Sequence, residues 1–143
     1  MVSVLLISHG NIGHSFLEAA RQILGDVEQV RAVSIGPSAE GPQVLQEIER
    51  ARRDLDQGDG VLIVTDMFGG TPSNISFSMV EQSQVEILTG LNLAMLLKIL
   101  SCRKSARLGE LARTALECGR ESICLGREIL GKELPGAESR GPK

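Results

Sequence analysis

Two side chains in this sequence are suited to carrying a transferred group. His9 closes the apolar run Val2-Ser3-Val4-Leu5-Leu6-Ile7-Ser8 and is followed by Gly10. Asp66 follows a second apolar run, Val61-Leu62-Ile63-Val64-Thr65. A neutral imidazole can attack a phosphoryl group and hold it as a labile phosphoramidate, provided one ring nitrogen is free. The other nitrogen then donates to an acceptor that fixes the tautomer and stabilises the developing positive charge, a role that a carboxylate such as Asp66 suits. Shortly after Asp66 comes Gly69-Gly70-Thr71-Pro72-Ser73, a flexible loop running into a helix start. Backbone N–H groups there can hold phosphate oxygens without a basic side chain, and Thr71 and Ser73 add hydroxyls. Each part alone also has a structural reading: a histidine at a strand end, an aspartate in a turn, a glycine loop before a cap. The combination is what points to phosphoryl transfer. The second histidine, His14, falls five positions later in a helix and is expected to be exposed or to stand behind the site. Met67 and Phe68 are expected to anchor the loop.

These residues need a scaffold that brings two strand ends together. Residues 2–7 read as a buried strand. Ile12, Phe16, Ala19, Ala20, Ile23 and Leu24 then recur at helical spacing up to Gly25. Residues 30–35 form a second strand. Val44, Leu45, Ile48, Ala51 and Leu55 mark a second helix, whose charged face is solvated. Residues 61–65 are apolar throughout, as in a strand buried on both faces. Thr71-Pro72 reads as an N-cap followed by proline at the first helical position, in a helix reaching about Val80. A fourth strand over 85–88, an apolar helix over 91–100 and a basic polar linker over 101–107 follow. A last helix ends near Gly119, and residues 122–125 suggest a short final strand. Repeated strand-helix units imply an open α/β fold with a parallel sheet covered by helices on both faces. If the first and third strands are neighbours, His9 and Asp66 emerge at the same sheet edge. Residues 1–130 are expected to be one domain and residues 131–143 a disordered tail.

Composition narrows the function classes. The net charge of −3 lacks the basic footprint of a nucleic-acid binder. No apolar stretch reaches the roughly 20 residues of a membrane span. Aromatic residues make up 2% of the chain, with no Trp and no Tyr, which disfavours stacking on bases or a flavin. The three cysteines have no C-x-x-C spacing and read as free thiols of a cytoplasmic protein. With no signal peptide evident at the N-terminus, the expected location is cytoplasmic.

On these residues the chain resembles the mannose-type enzyme IIA component of the bacterial phosphoenolpyruvate-dependent sugar phosphotransferase system. Ser8-His9-Gly10 is similar to that family's phosphorylation-site motif. Asp66-Met67-Phe68-Gly69-Gly70-Thr71-Pro72-Ser73-Asn74 matches its most characteristic segment, an acidic residue followed by Gly-Gly-Thr-Pro-x-Asn. Thr89-Gly90-Leu91-Asn92-Leu93-Ala94-Met95-Leu96 and Glu117-Cys118-Gly119-Arg120 resemble later segments, so the likeness covers about residues 1–126. Ala94 departs from the pattern, since many members have proline there.

The resemblance implies an open sheet of four parallel strands, with a C-terminal strand exchanged in a homodimer and matched here by residues 122–125. It implies that His9 accepts a phosphoryl group from the phosphocarrier protein HPr and passes it to a histidine of an enzyme IIB partner. Asp66 would orient and polarise His9. Gly70, Thr71, Ser73 and Asn74 would hold phosphate oxygens, through the N–H groups of Thr71 and Ser73 and the Thr71 hydroxyl. No metal or organic cofactor, no nucleic acid and no membrane insertion are expected. The IIB component is expected to be on a separate chain or absent. The same residues would serve a regulatory phosphoacceptor without sugar transport. A small tetrapyrrole metal chelatase also opens with a strand and a His-Gly pair, but it would need a later second metal-binding histidine, and none follows His14.

Overall fold

The computed structural model describes residues 1–136 except 39, 68 and 83, and within them not the Ser73 side chain. The expected anchor Phe68 and the tail residues 137–143 therefore lie outside the described residues.

The apolar runs form four strands: β1 (Ser3–His9), β2 (Val30–Ile35), β3 (Val61–Thr65) and β4 (Val85–Thr89). All pair in parallel, in the order β2-β1-β3-β4. The two central strands, β1 and β3, are covered on both faces, which is why they are apolar at successive positions. Leu5, Leu6, Ile7, Leu62, Ile63 and Val64 all have 0% exposure. Burial of each such side chain is worth about 1.5–3 kcal/mol.

Alternation along the strands divides the core in two. Val4, Leu6, Leu62 and Val64 pack against α1 (Ile12–Leu24), α4 (Leu93–Cys102) and α5 (Leu108–Glu121), through Leu17, Met95, Ile99 and Leu111 among others. Leu5, Ile7 and Ile63 face α2 (Gly41–Leu55), which contributes Val44 and Ile48, and Met79 just after α3 (Thr71–Phe77). The chain leaves β1 toward β2 on one side and returns to β3 on the other. That reversal opens a crevice at the carboxyl ends of β1 and β3, the place where open α/β sheets bind ligands.

Several boundaries differ from expectation for local reasons. Gly70, not Thr71, stands at the N-cap of α3, so Thr71 is its first helical residue. This helix ends at Phe77 instead of about Val80. Over the next residues Met79 and Val80 donate to Ser76 and Phe77, the i−3 pattern of a tightened turn. α4 begins at Leu93 because Asn92 caps it, accepting the Met95 N–H at 2.9 Å. Leu91 is apolar because the loop there is buried. α5 passes through Gly119, where a Cβ would meet Met95 Cε at 2.7 Å. That glycine serves a close helix contact and is not a stop.

The expected linker also differs. Its Arg103 is 3% exposed and donates to the carbonyls of Glu28 and Gln29 at 2.5 and 3.3 Å. Residues 122–125 form no strand in the single chain: they pair with neither outer strand of the sheet, and Ile123 and Leu125 are 79% and 67% exposed. A short helix, α6 (Gly126–Leu130), follows them. Among the described residues no helix is long and apolar enough to cross a membrane.

Candidate functional site

His9 is the last residue of β1, and Asp66 is the first residue beyond β3. With Ile7 opposite Thr65 in the register, the two strands deliver these side chains side by side. Asp66 Oδ2 accepts the His9 backbone N–H at 2.9 Å and lies 2.8 Å from His9 Nδ1. Asp66 Oδ1 accepts the Met67 N–H at 2.9 Å. The carboxylate is therefore held on both oxygens. It is also more enclosed than its partner, with side-chain exposure of 12% against 46% for His9.

This environment sets the charge on Asp66. Partial burial pushes its carboxyl up, but the His9 backbone N–H, the His9 ring and the Met67 N–H together outweigh that and hold it below the ordinary carboxylate value. Asp66 is thus an anion at neutral pH and can accept a proton-bearing His9 Nδ1; in the neutral ring of that tautomer, Nε2 is the nitrogen with a lone pair.

Gly70 packs against the far edge of the same ring. A Cβ there would stand 2.6 Å from His9 Cε1 and 3.2 Å from Nε2. Only a glycine lets the backbone come this close. Thr71 is exposed and, with His9, Gly10, Ile35, Gly36 and Pro37, lines a cleft of about 300 Å³. Asn74 is exposed one turn into α3, and its backbone N–H already donates to the Gly70 carbonyl at 3.0 Å. The structure thus brings His9, Asp66, Gly70 and Thr71 together. Asn74 does not line the cleft, and the Ser73 side chain lies outside the described residues.

His14 is exposed, as expected. Its Nδ1 lies 3.0 Å from the Ser34 hydroxyl, which also donates to Asn11 Oδ1 at 3.2 Å. This small network ties the first turn of α1 to the end of β2, beside the site. Sequence reasoning names Ser8 only within the motif Ser8-His9-Gly10 and gives it no role of its own. It is 1% exposed, accepts the Gly13 N–H and donates to the Gly10 carbonyl, on either side of the turn that follows His9. A hydroxyl in an otherwise apolar strand, next to the reactive residue, was the available signal.

The chain is similar to known components of the sugar phosphotransferase system. The family model described as "PTS system fructose IIA component" matches residues 3–116. The "PTS system fructose-specific EIIA component" of Bacillus subtilis is 32% identical over 134 residues, covering 92% of this chain and 91% of that protein. The "PTS system mannose-specific EIIAB component" of Escherichia coli K12 is 28% identical over 145 residues, covering 99% of this chain and 45% of that longer protein. Among solved structures, the phosphotransferase system component EIIA from Streptococcus agalactiae superposes with a TM-score of 0.79 at 26% identity, covering 87% of this chain and 96% of that one. The PTS IIA protein associated with the fucose utilization operon from Streptococcus pneumoniae gives 0.78 at 26% identity, covering 91% and 99%. On the strength of the family match across residues 3–116 and the Bacillus subtilis relative, the chain belongs to the mannose-type enzyme IIA family of the sugar phosphotransferase system.

Proposed function

We propose that this protein is a phosphoryl carrier of a sugar phosphotransferase relay, with His9 as the residue that is phosphorylated. The observation that carries this reading is the 2.8 Å contact between His9 Nδ1 and Asp66 Oδ2, with the opposite edge of the ring against Gly70 at the cleft. In the forward step the Nε2 lone pair forms a bond to phosphorus while the bond from phosphorus to the donor nitrogen breaks and leaves its electron pair on the donor. The ring gains positive charge as it attacks, and the Asp66 carboxylate stabilises that charge through the Nδ1 proton. The phosphoryl oxygens take hydrogen bonds from the segment of Gly70, Thr71, Ser73 and Asn74, chiefly from the N–H groups of Thr71 and Ser73 and from the Thr71 hydroxyl.

The family supports phosphorylated HPr as donor. The Escherichia coli relative carries EIIAB in its name and this chain spans 45% of it, which supports an enzyme IIB histidine as acceptor. The relay would work in the cytoplasm. A second copy of the chain is a further partner, supported by the exposed Ile123, Leu125, Ile129 and Leu130 beyond α5. Sedimentation velocity tests this, with a monomer at micromolar concentration as the refuting result.

The decisive experiment is intact mass after incubation with phosphoenolpyruvate, enzyme I and HPr from the same organism, beside His9→Ala and with an acid wash. One acid-labile phosphoryl group on the parent and none on the variant is the expected result. An unlabelled parent, or a labelled variant, refutes the assignment.

A further inference from the structure

His9 and Ser8 project to opposite faces of the sheet, because side chains alternate along a strand. His9 points to the cleft. Ser8 lies beneath the first turn of α1, 1% exposed, and does not line the cleft. Its Oγ accepts the Gly13 N–H at 2.9 Å and donates to the Gly10 carbonyl at 3.2 Å. Asn11, at the N-cap of α1, makes no side-chain cap bond, so Ser8 supplies from the strand the bond that a cap would otherwise make. The approach is close: a Cβ on Gly13 would stand 3.1 Å from Ser8 Oγ.

The same hydroxyl also ties the residue after His9, through its carbonyl. Gly10 has φ +49°, a left-handed setting. Its N–H donates to the Ile35 carbonyl at 3.2 Å and its carbonyl accepts from Ser8, so both of its backbone groups are tied. His9 needs a fixed backbone on this side. Asp66 Oδ2 receives the His9 backbone N–H and stands against its ring Nδ1, at 2.9 and 2.8 Å. One oxygen satisfies both groups only over a narrow range of backbone and ring torsions.

We propose that Ser8 is a positioning residue for His9: by fixing the Gly10 carbonyl and the start of α1, its hydroxyl holds the turn that sets the His9 backbone where one Asp66 oxygen meets the N–H and the ring nitrogen together. The effect on transfer rests on the phosphoryl-carrier reading above; the effect on the ring does not.

Ser8→Ala tests this, with Ser3→Ala as the matched control. Ser3 is also a buried serine of β1, 0% exposed, but its hydroxyl donates to the Leu55 carbonyl at 2.7 Å at the other end of the strand. Nitrogen-detected NMR of the unphosphorylated proteins reads the His9 tautomer, and phosphoryl uptake from HPr is timed in parallel. In Ser8→Ala the Nδ1–H tautomer loses population to Nε2–H. Uptake at saturating donor falls about tenfold, the rate equivalent of one ordinary hydrogen bond, while the donor concentration for half-maximal rate is kept. Ser3→Ala lowers the unfolding midpoint but leaves the ring signals and uptake at parental values. Parental His9 signals in Ser8→Ala overturn the proposal, as does an equal disturbance of His9 in Ser3→Ala. If the parent itself takes no phosphoryl group, the carrier reading fails, and the ring signals still decide the role of Ser8.

Discussion

Gly70→Ala isolates the seating of the His9 ring. Gly70 has φ −87° and ψ 170°, a conformation that alanine adopts without strain. The only conflict is steric: the new Cβ would lie 2.6 Å from His9 Cε1, where ordinary contact begins at 3.4 Å. The ring must therefore retreat by about 0.8 Å, and its Nδ1 sits at 2.8 Å from Asp66 to begin with. With Asp66 already at 2.8 Å on the other side, the ring can make that room only by swinging aside, which breaks the Nδ1 bond. A hydrogen bond to a charged group contributes about 1.5–3 kcal/mol, so uptake by His9 should fall roughly 10- to 100-fold. Stability should hold near the parental value, because the added methyl also restricts the unfolded chain. The assay is a time course of acid-labile phosphate on the intact protein, beside a urea midpoint. Gly109→Ala is the control, since a Cβ there meets nothing within 4 Å. A folded Gly70→Ala protein that takes up phosphate at the parental rate would show that the Gly70 backbone does not seat the ring.

Asp66→Asn should slow uptake by roughly 10- to 100-fold while shifting the neutral-pH urea midpoint only slightly, because the amide keeps an acceptor but loses the charge. Because the Asp66 carboxyl titrates lower in the folded protein than in the unfolded chain, it stabilises the fold above the unfolded value of about 3.9. That contribution disappears as pH drops through the lower folded value, so urea midpoints of Asp66→Asn should fall less steeply than the parent's below about pH 4; identical acid slopes would refute the stabilisation. Arg103→Met removes two hydrogen bonds, to the carbonyls of Glu28 and Gln29, the second of which keeps the Val4 N–H, and should cost about 1–3 kcal/mol in urea unfolding, with uptake per folded molecule unchanged. An unchanged midpoint would mean that water replaces the guanidinium at no cost.

Much of this fold is readable in the sequence because its signals are strong and local. The unbroken apolar runs of β1 and β3 mark strands covered on both sides, and the helical spacing of α1 and α2 places their inner faces. The strand-helix pattern makes the neighbouring of β1 and β3 only a condition, which the observed strand order meets, and with it His9 and Asp66 come together. The misses share a different cause. Arg103 is buried by contacts with residues more than seventy positions away, which no local pattern encodes. Ser8 acts through two backbone groups of a turn, and a single serine at a strand end carries no periodic signal. At residues 122–125 β propensity suggests a strand, but a strand also needs a partner, and in the single chain this segment pairs with neither outer strand, β2 or β4. Asn92 was a readable cap, masked by the apolar Leu91 before it.

The central placement of β1 and β3 has a consequence for how the protein tolerates change. Amides of central strands exchange with solvent only when the whole domain opens, whereas short helices and turns open more often. The His9–Asp66 pair is anchored to the slowest-opening unit, while the neighbouring α3, seven residues long, is expected to exchange earlier. Substitutions that weaken the outer layers should therefore reduce how much folded protein a cell maintains before they alter the turnover of each molecule. Drift in the periphery of such a scaffold would be seen first in protein abundance.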